Sequence, residues 1–125
     1  MVTSADEQAI DAFLAGDEVA RGCFDAIRSL IEGLGPVEWR VTASQIACRD
    51  GRDFAWLWRP GRWLRGDVAA LVLSVALGRR DPSPRWKEVV EVTPGRWMHH
   101  LELRGDADVD ADVADWLAAA RAMRG

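Results

Sequence analysis

The stretch from Glu38 to Gly66, EWRVTASQIACRDGRDFAWLWRPGRWLRG, decides how the chain folds. It holds four of the seven Trp residues and an Asp-Gly pair set between two runs of strand-forming residues. Asp50-Gly51 is the signal of a two-residue type I′ hairpin turn, because both positions of that turn require positive φ and Asp and Gly tolerate it. The turn predicts that Arg49 faces Arg52, Cys48 faces Asp53 and Ala47 faces Phe54. Strand alternation then sorts the side chains. One face carries Ser44, Ile46, Cys48, Ala55 and Leu57, small and aliphatic, suited to packing under helices. The other carries Gln45, Ala47, Phe54, Trp56 and Trp58. An aromatic sheet face of this kind is either a second core layer or a binding platform.

On the N-terminal side, Val37 to Thr42 alternates Val37, Trp39 and Val41 against Glu38, Arg40 and Thr42, as a strand does. Gly35-Pro36 ends the helix before it, since Gly accepts a left-handed cap and Pro cannot continue a helix. That helix has Asp17 as its cap and the apolar stripe Ala20, Cys23, Phe24, Ile27, Leu30, Ile31, Leu34. A first helix is predicted from the capping box Ser4-Ala5-Asp6-Glu7 to Gly16, with Ile10, Phe13 and Leu14 as its stripe.

On the C-terminal side, Arg59 to Gly66 reads as a loop from its Pro and Gly content. Ala69 to Leu77 is apolar on both sides and reads as a central strand. Gly78 to Arg85 is a second basic loop. Trp86–Val92 and Trp97–Leu103 read as a hairpin in which Val92 faces Trp97, Val90 faces His99 and Lys87 faces Glu102. One face would then carry Val90, Val92, Trp97, His99 and Leu101, the other Lys87, Glu91, Met98, His100 and Glu102. From Asp108 a helix is predicted, with Asp residues at its start, Arg121 and Arg124 at its end and the stripe Val109, Val113, Trp116, Leu117, Ala120. The expected fold class is therefore α+β: one domain over 1–125, with a largely antiparallel sheet of five or six strands. Two N-terminal helices and one C-terminal helix lie on one face of it.

A chain of 125 residues with 49% hydrophobic and 29% charged content suits one soluble globular domain. The net charge of −4 argues against whole-molecule attraction to nucleic acid. The charge is uneven, however: −5 over 1–35, +4 over 36–104 and −3 over 105–125. Cys23 and Cys48 have no metal-ligand spacing and read as reduced, buried thiols of a cytoplasmic protein. MVTSADEQ lacks the apolar core of a signal peptide, and the apolar run Val68–Leu77 is too short for a membrane span. The excess of Arg over Lys points to a GC-rich bacterial genome.

Candidate chemistry is sparse. His99 and His100 are neighbours on a strand, so they point to opposite faces and cannot chelate one metal together. His99 reads as a hydrogen-bonded core or interface residue. His100 is the weak catalytic candidate, an acid or base working with Glu102 or Glu91. The Asp run from Asp106 lacks the Gly and Glu of a calcium loop and reads as helix capping. No zinc spacing, P-loop, GxGxxG or nucleophile elbow occurs, so no metal and no cofactor are expected. The basic-aromatic loops carry the best signal: Arg59, Arg62, Trp63 and Arg65, and Arg79, Arg80, Arg85 and Trp86. Guanidinium groups fork onto carboxylate or phosphate, and Trp stacks on planar groups. Equally, these Arg residues can pair with the acidic helices or cover Trp.

The segments VEWRVTASQIACRDGRDFAWLWRP, RWLRG, VLSVAL, SPRWKEVVEV and GRWMHHLEL together resemble a bacterial family of unknown function, the one numbered 5655. The similarity runs from about Phe24 to Trp116, most specifically through Ser44-Gln45-Ile46-Ala47, Phe54-Ala55-Trp56 and Arg96-Trp97-Met98-His99-His100. The resemblance implies a small α+β fold like that of the frataxin-like iron chaperones, with no assigned activity. It also implies a domain that occurs alone or appended to larger proteins, some of them nuclease- or restriction-related. Iron binding is not carried over, because the acidic ridge it needs is not matched here. The first expectation is a non-enzymatic binding module for an anionic or planar ligand or a partner protein. Its ligand would be held by Arg40, Gln45, Trp56, Trp58, Arg59, Trp63, Arg96 and His100. The alternatives are a nucleic-acid-binding accessory protein and a small hydrolase or isomerase using His100. A homodimer is left open, and no membrane partner is expected.

Overall fold

The computed structural model describes residues 3–62 and 66–123, and nothing of the Arg62 side chain. Among these residues three α-helices and six strands follow one another in the order α1 (Ser4–Leu14), α2 (Glu18–Gly33), β1 (Glu38–Val41), β2 (Ile46–Arg49), β3 (Asp53–Trp58), β4 (Leu71–Leu77), β5 (Glu88–Thr93), β6 (Arg96–Leu103) and α3 (Ala111–Ala122). The sheet order is β1-β2-β3-β4-β6-β5, antiparallel throughout. The α+β class and the placing of the helices agree with the sequence pattern.

The helix starts follow local chemistry. Asp17 caps α2, its carboxylate accepting from the Ala20 amide at 2.9 Å. Asp110 caps α3 in the same way. The first cap lies one residue earlier than predicted: Thr3, not Ser4, closes the box with Asp6, each side chain accepting from the other residue's amide at 3.1 Å. Glu7 is thereby released to pair with Arg28 of α2. The last residue of the α2 stripe, Leu34, is exposed rather than buried, since the helix ends at Gly33.

All three helices cover the same side of the sheet. Ile10, Phe13, Phe24, Ile27, Ile31, Val113 and Leu117 pack on Ile46, Cys48, Ala55, Leu57, Leu71, Leu73, Val75, Leu101 and Leu103. Trp39 meets Phe24 edge-on at 5.4 Å between ring centroids. Strand β4 lies in the middle of the sheet and is buried at every position, as its unbroken apolar run requires. Cys23 and Cys48 are buried free thiols, and burial pushes them up to about 11 and about 12, so both stay protonated.

Two registers differ from expectation. Around Asp50-Gly51 the ladder runs Arg49 to Asp53, Cys48 to Ala55 and Ala47 to Trp56, with an irregularity between Cys48 and Arg49. Among the described residues no non-glycine residue has positive φ, and Gly51 has φ 75°, so the type I′ turn is replaced by a three-residue loop that takes in Arg52. The slip beyond the irregularity is two residues. Ile46, Cys48, Ala55 and Leu57 therefore keep their face. Phe54 leaves the aromatic set: it stands beside the irregular turn and is buried with the core cluster. In the second hairpin the slip is one residue. Val90 pairs with Met98 and Val89 with His99, with a bulge between Glu91 and Thr93. Val90 thus moves to the side of Met98 and His100, where it is 40% exposed. Lys87 still reaches Glu102, at 3.2 Å.

Candidate functional site: the open face of the sheet

The side of the sheet away from the helices can be built row by row from the register. Arg40 pairs with Ala47, Ala47 with Trp56, Trp56 with Ser74, Ser74 with His100 and His100 with Glu88. One row of side chains therefore crosses all six strands on a single face. Small residues in this layer, Ala47, Val72, Ser74 and Ala76, are buried beneath larger neighbours. Trp56, Trp58, Met98 and His100 remain half-buried.

Between them lies a shallow depression of about 310 Å³, lined by Gln45, Trp56, Trp58, Ser74, Met98 and His100. Four residues singled out from the sequence thus come together: Gln45, Trp56, Trp58 and His100. Ser74 and Met98 were not singled out. The signal for Ser74 was available, since it is the one hydroxyl in Leu71–Leu77.

The polar groups have a definite arrangement. Ser74 Oγ and His100 Nδ1 are 2.7 Å apart. With the ring proton on Nε2, the hydroxyl donates to Nδ1 and an N–H remains for a ligand. Burial pushes His100 below the usual imidazole value, with Glu88 pulling weakly the other way, so the ring is neutral at pH 7. The Gln45 side-chain amide has no hydrogen-bond partner among the described residues.

The neighbouring His99 belongs to the opposite side. It is completely buried; its Nε2 accepts from the Asp81 amide at 2.9 Å, and its Nδ1 donates to the Trp97 carbonyl at 3.1 Å. Trp86 lies against it at 4.9 Å and against Trp116 at 4.1 Å. This is the hydrogen-bonded core histidine expected from the sequence.

The arginines are mostly spent elsewhere. Arg40 is on the open face but pairs with Asp53. Arg59 donates to the Phe13 carbonyl at 3.0 Å and approaches Asp17 at 3.5 Å, tying down the end of α1. Arg85 donates to Asp110 at 2.9 Å and to the Asp108 carbonyl at 2.9 Å, and covers Trp116 at 5.5 Å. Arg96 opens β6 at the other end of the face, half-buried. The predicted Trp63 and Arg65, with the Arg62 side chain, fall outside the described residues. Among the described residues no group of His, Cys, Asp and Glu could hold a metal ion, and no helix is long and apolar enough to cross a membrane.

The molecule is thus an α+β domain with one sheet face sealed by helices and the other left open by the described residues. Residues 10–123 match the family model described as "Domain of unknown function (DUF5655)", and the chain belongs to that family. No match was found among curated proteins or among solved structures.

Proposed function

We propose that the protein is a binding module whose ligand seat is the open sheet face around Trp56 and Trp58. The observation that carries this is the depression itself. Two indoles, a thioether, an amide and an imidazole meet there, and among the described residues no element covers them. Its volume lies at the lower end of small-ligand sites. Aromatic rings standing on an antiparallel sheet also form a stacking platform of the type that single-stranded RNA readers use.

The Ser74–His100 hydrogen bond also invites a hydrolytic reading, and the strand geometry weighs against it. Ser74 sits in mid-strand between two ladders, so the amides around it are taken up by β3 and β6. A nucleophile elbow places its Ser on a sharp turn with amide donors beside it to receive an oxyanion. A nucleic-acid-binding role through the arginine loops is weakened likewise, because Arg59 and Arg85 are tied to carbonyls and carboxylates.

The test is a thermal-shift screen of the wild-type chain against Trp56→Ala. A ligand that binds the seat stabilises the wild type by about 2.7 kcal/mol at a hundredfold excess over Kd. The variant loses that shift. Ligands that stabilise both proteins equally would place the seat elsewhere.

A further inference from the structure

We infer that the seat takes an uncharged, flat heteroaromatic ring with a donor and an acceptor on its edge: a nucleobase-type heterocycle, free or as a nucleoside, rather than a phosphorylated ligand. This rests on the open-face reading above and goes further by fixing the ligand's charge and edge chemistry.

The stacking surface comes from Trp56 and Trp58, two residues apart on β3 and therefore on one face. Polar groups flank it on either side. Gln45 lies immediately before β2 and His100 lies on β6, three strand spacings away in the order β2-β3-β4-β6. Three spacings are about 14 Å and the two-residue offset of Gln45 from Ala47, which shares the row of His100, raises the separation to about 16 Å, a span that a bicyclic ring bridges once both side chains lean inward. Gln45 offers a carbonyl and an amide side by side, with no partner of its own among the described residues. Such a pair matches an adjacent acceptor and donor on a base edge. His100 is fixed by Ser74 on one ring nitrogen, leaving the other directed by the same hydrogen bond.

Charge decides between a base and its phosphates. Of the cations on this face, Arg40 is neutralised by Asp53 and Lys87 by Glu102. The charged group paired directly with His100 is Glu88, an exposed carboxylate. Arg96 stands four residues along β6 from His100, with Met98 between them. Among the described residues, a phosphate held beside His100 would meet Glu88, and like charges in proximity repel.

The experiment is calorimetric titration of the wild-type chain, followed in parallel by Trp fluorescence. The ligands are adenosine, guanosine, cytidine, uridine, their 5′-triphosphates, and naphthalene-type rings that lack edge hydrogen bonds. The expected result is saturable binding of at least one nucleoside, at least tenfold weaker for its triphosphate, and at least tenfold weaker in Gln45→Ala. Gln45→Glu, which keeps the shape and loses the donor, should be weakened likewise. Triphosphates that bind as tightly as nucleosides, or better, would overturn the charge argument. Plain aromatic rings that bind Trp56-dependently while no nucleoside does would overturn this inference and leave the platform standing. Failure of every ring and every nucleoside would remove both.

Discussion

His99 and His100 are adjacent in sequence and live in different solvents. On the helix side, His99 is sealed, both ring nitrogens are committed within the protein, and Trp86 and Trp116 stack beyond it. On the open side, His100 has one committed nitrogen and faces a depression edged by two half-buried indoles. The two faces use the same residue types for different ends. On one, the histidine has both ring nitrogens satisfied; on the other, a glutamine amide and an imidazole nitrogen are left with capacity to spare. The same sheet thus has a sealed face and an open face; on the reading we propose the first serves stability and the second recognition, and substitutions should separate them.

The largest effect is expected on the sealed side. Phe24→Ala and Trp116→Ala should each cost about 3–5 kcal/mol in chemical denaturation, through lost burial and the cavity left behind. A cost below about 1 kcal/mol for both would show that the helix-covered layer is not the core. Next, Asp110→Ala removes the α3 cap and the Arg85 partner together, for about 1–2 kcal/mol. Arg85→Ala in the same background should then cost less than it does alone, since only its hydrogen bond to the Asp108 carbonyl, its approach to Asp112 and its cover of Trp116 remain to be lost.

Smaller still is the stability effect on the open side. Trp56→Ala and Trp58→Ala should each cost about 1 kcal/mol or less, the scale of a cross-strand pair. Their effect should appear in ligand binding instead. Equal losses from Trp56→Ala and Trp116→Ala would erase the distinction between the faces.

The last prediction concerns pH. Burial lowers both His99 and His100 below 6.5 in the folded chain. The unfolded chain then binds more protons than the folded one between the folded values and 6.5, so stability is full above 6.5 and falls as pH drops through that window. The paired carboxylates Glu7 and Asp110, held below their usual values by Arg28 and Arg85, lose their contribution only at lower pH. Melting temperatures at pH 7.5 and pH 5.5 should differ in the wild type, and the difference should shrink in His100→Asn. A flat profile would mean that the imidazoles are not desolvated.

Much of this was legible in the sequence, for local reasons. Helix stripes, the Asp17 cap, the buried run of β4 and the alternation Ala55-Trp56-Leu57-Trp58 are short-range patterns that tertiary packing reinforces. The errors have local causes too. Asp50-Gly51 looks like a two-residue turn, but Asp50 keeps negative φ and Arg52 joins the loop. That slip preserved parity, so the aromatic face survived it, apart from Phe54. The bulge at Glu91–Thr93 did not preserve parity, and Val90 changed sides. Thr3 and Ser4 are both able to cap, and the choice between them leaves no mark in composition. The employment of the arginines was legible only as one of two alternatives, pairing with the acidic helices or covering Trp, and their particular partners were not legible. Arg59 closes on carbonyls more than forty residues earlier, and Arg121 on Asp50 at 3.1 Å, pairings that only the assembled fold creates.

The most direct test of the two-faced sheet is hydroxyl-radical footprinting of the indoles in the wild-type chain at low micromolar concentration. Trp56 and Trp58 should oxidise readily, while Trp39 and Trp116 stay protected. Protection of Trp56 and Trp58 to the level of Trp39 would mean that the face is covered in solution, and the account of a bare recognition surface would fail.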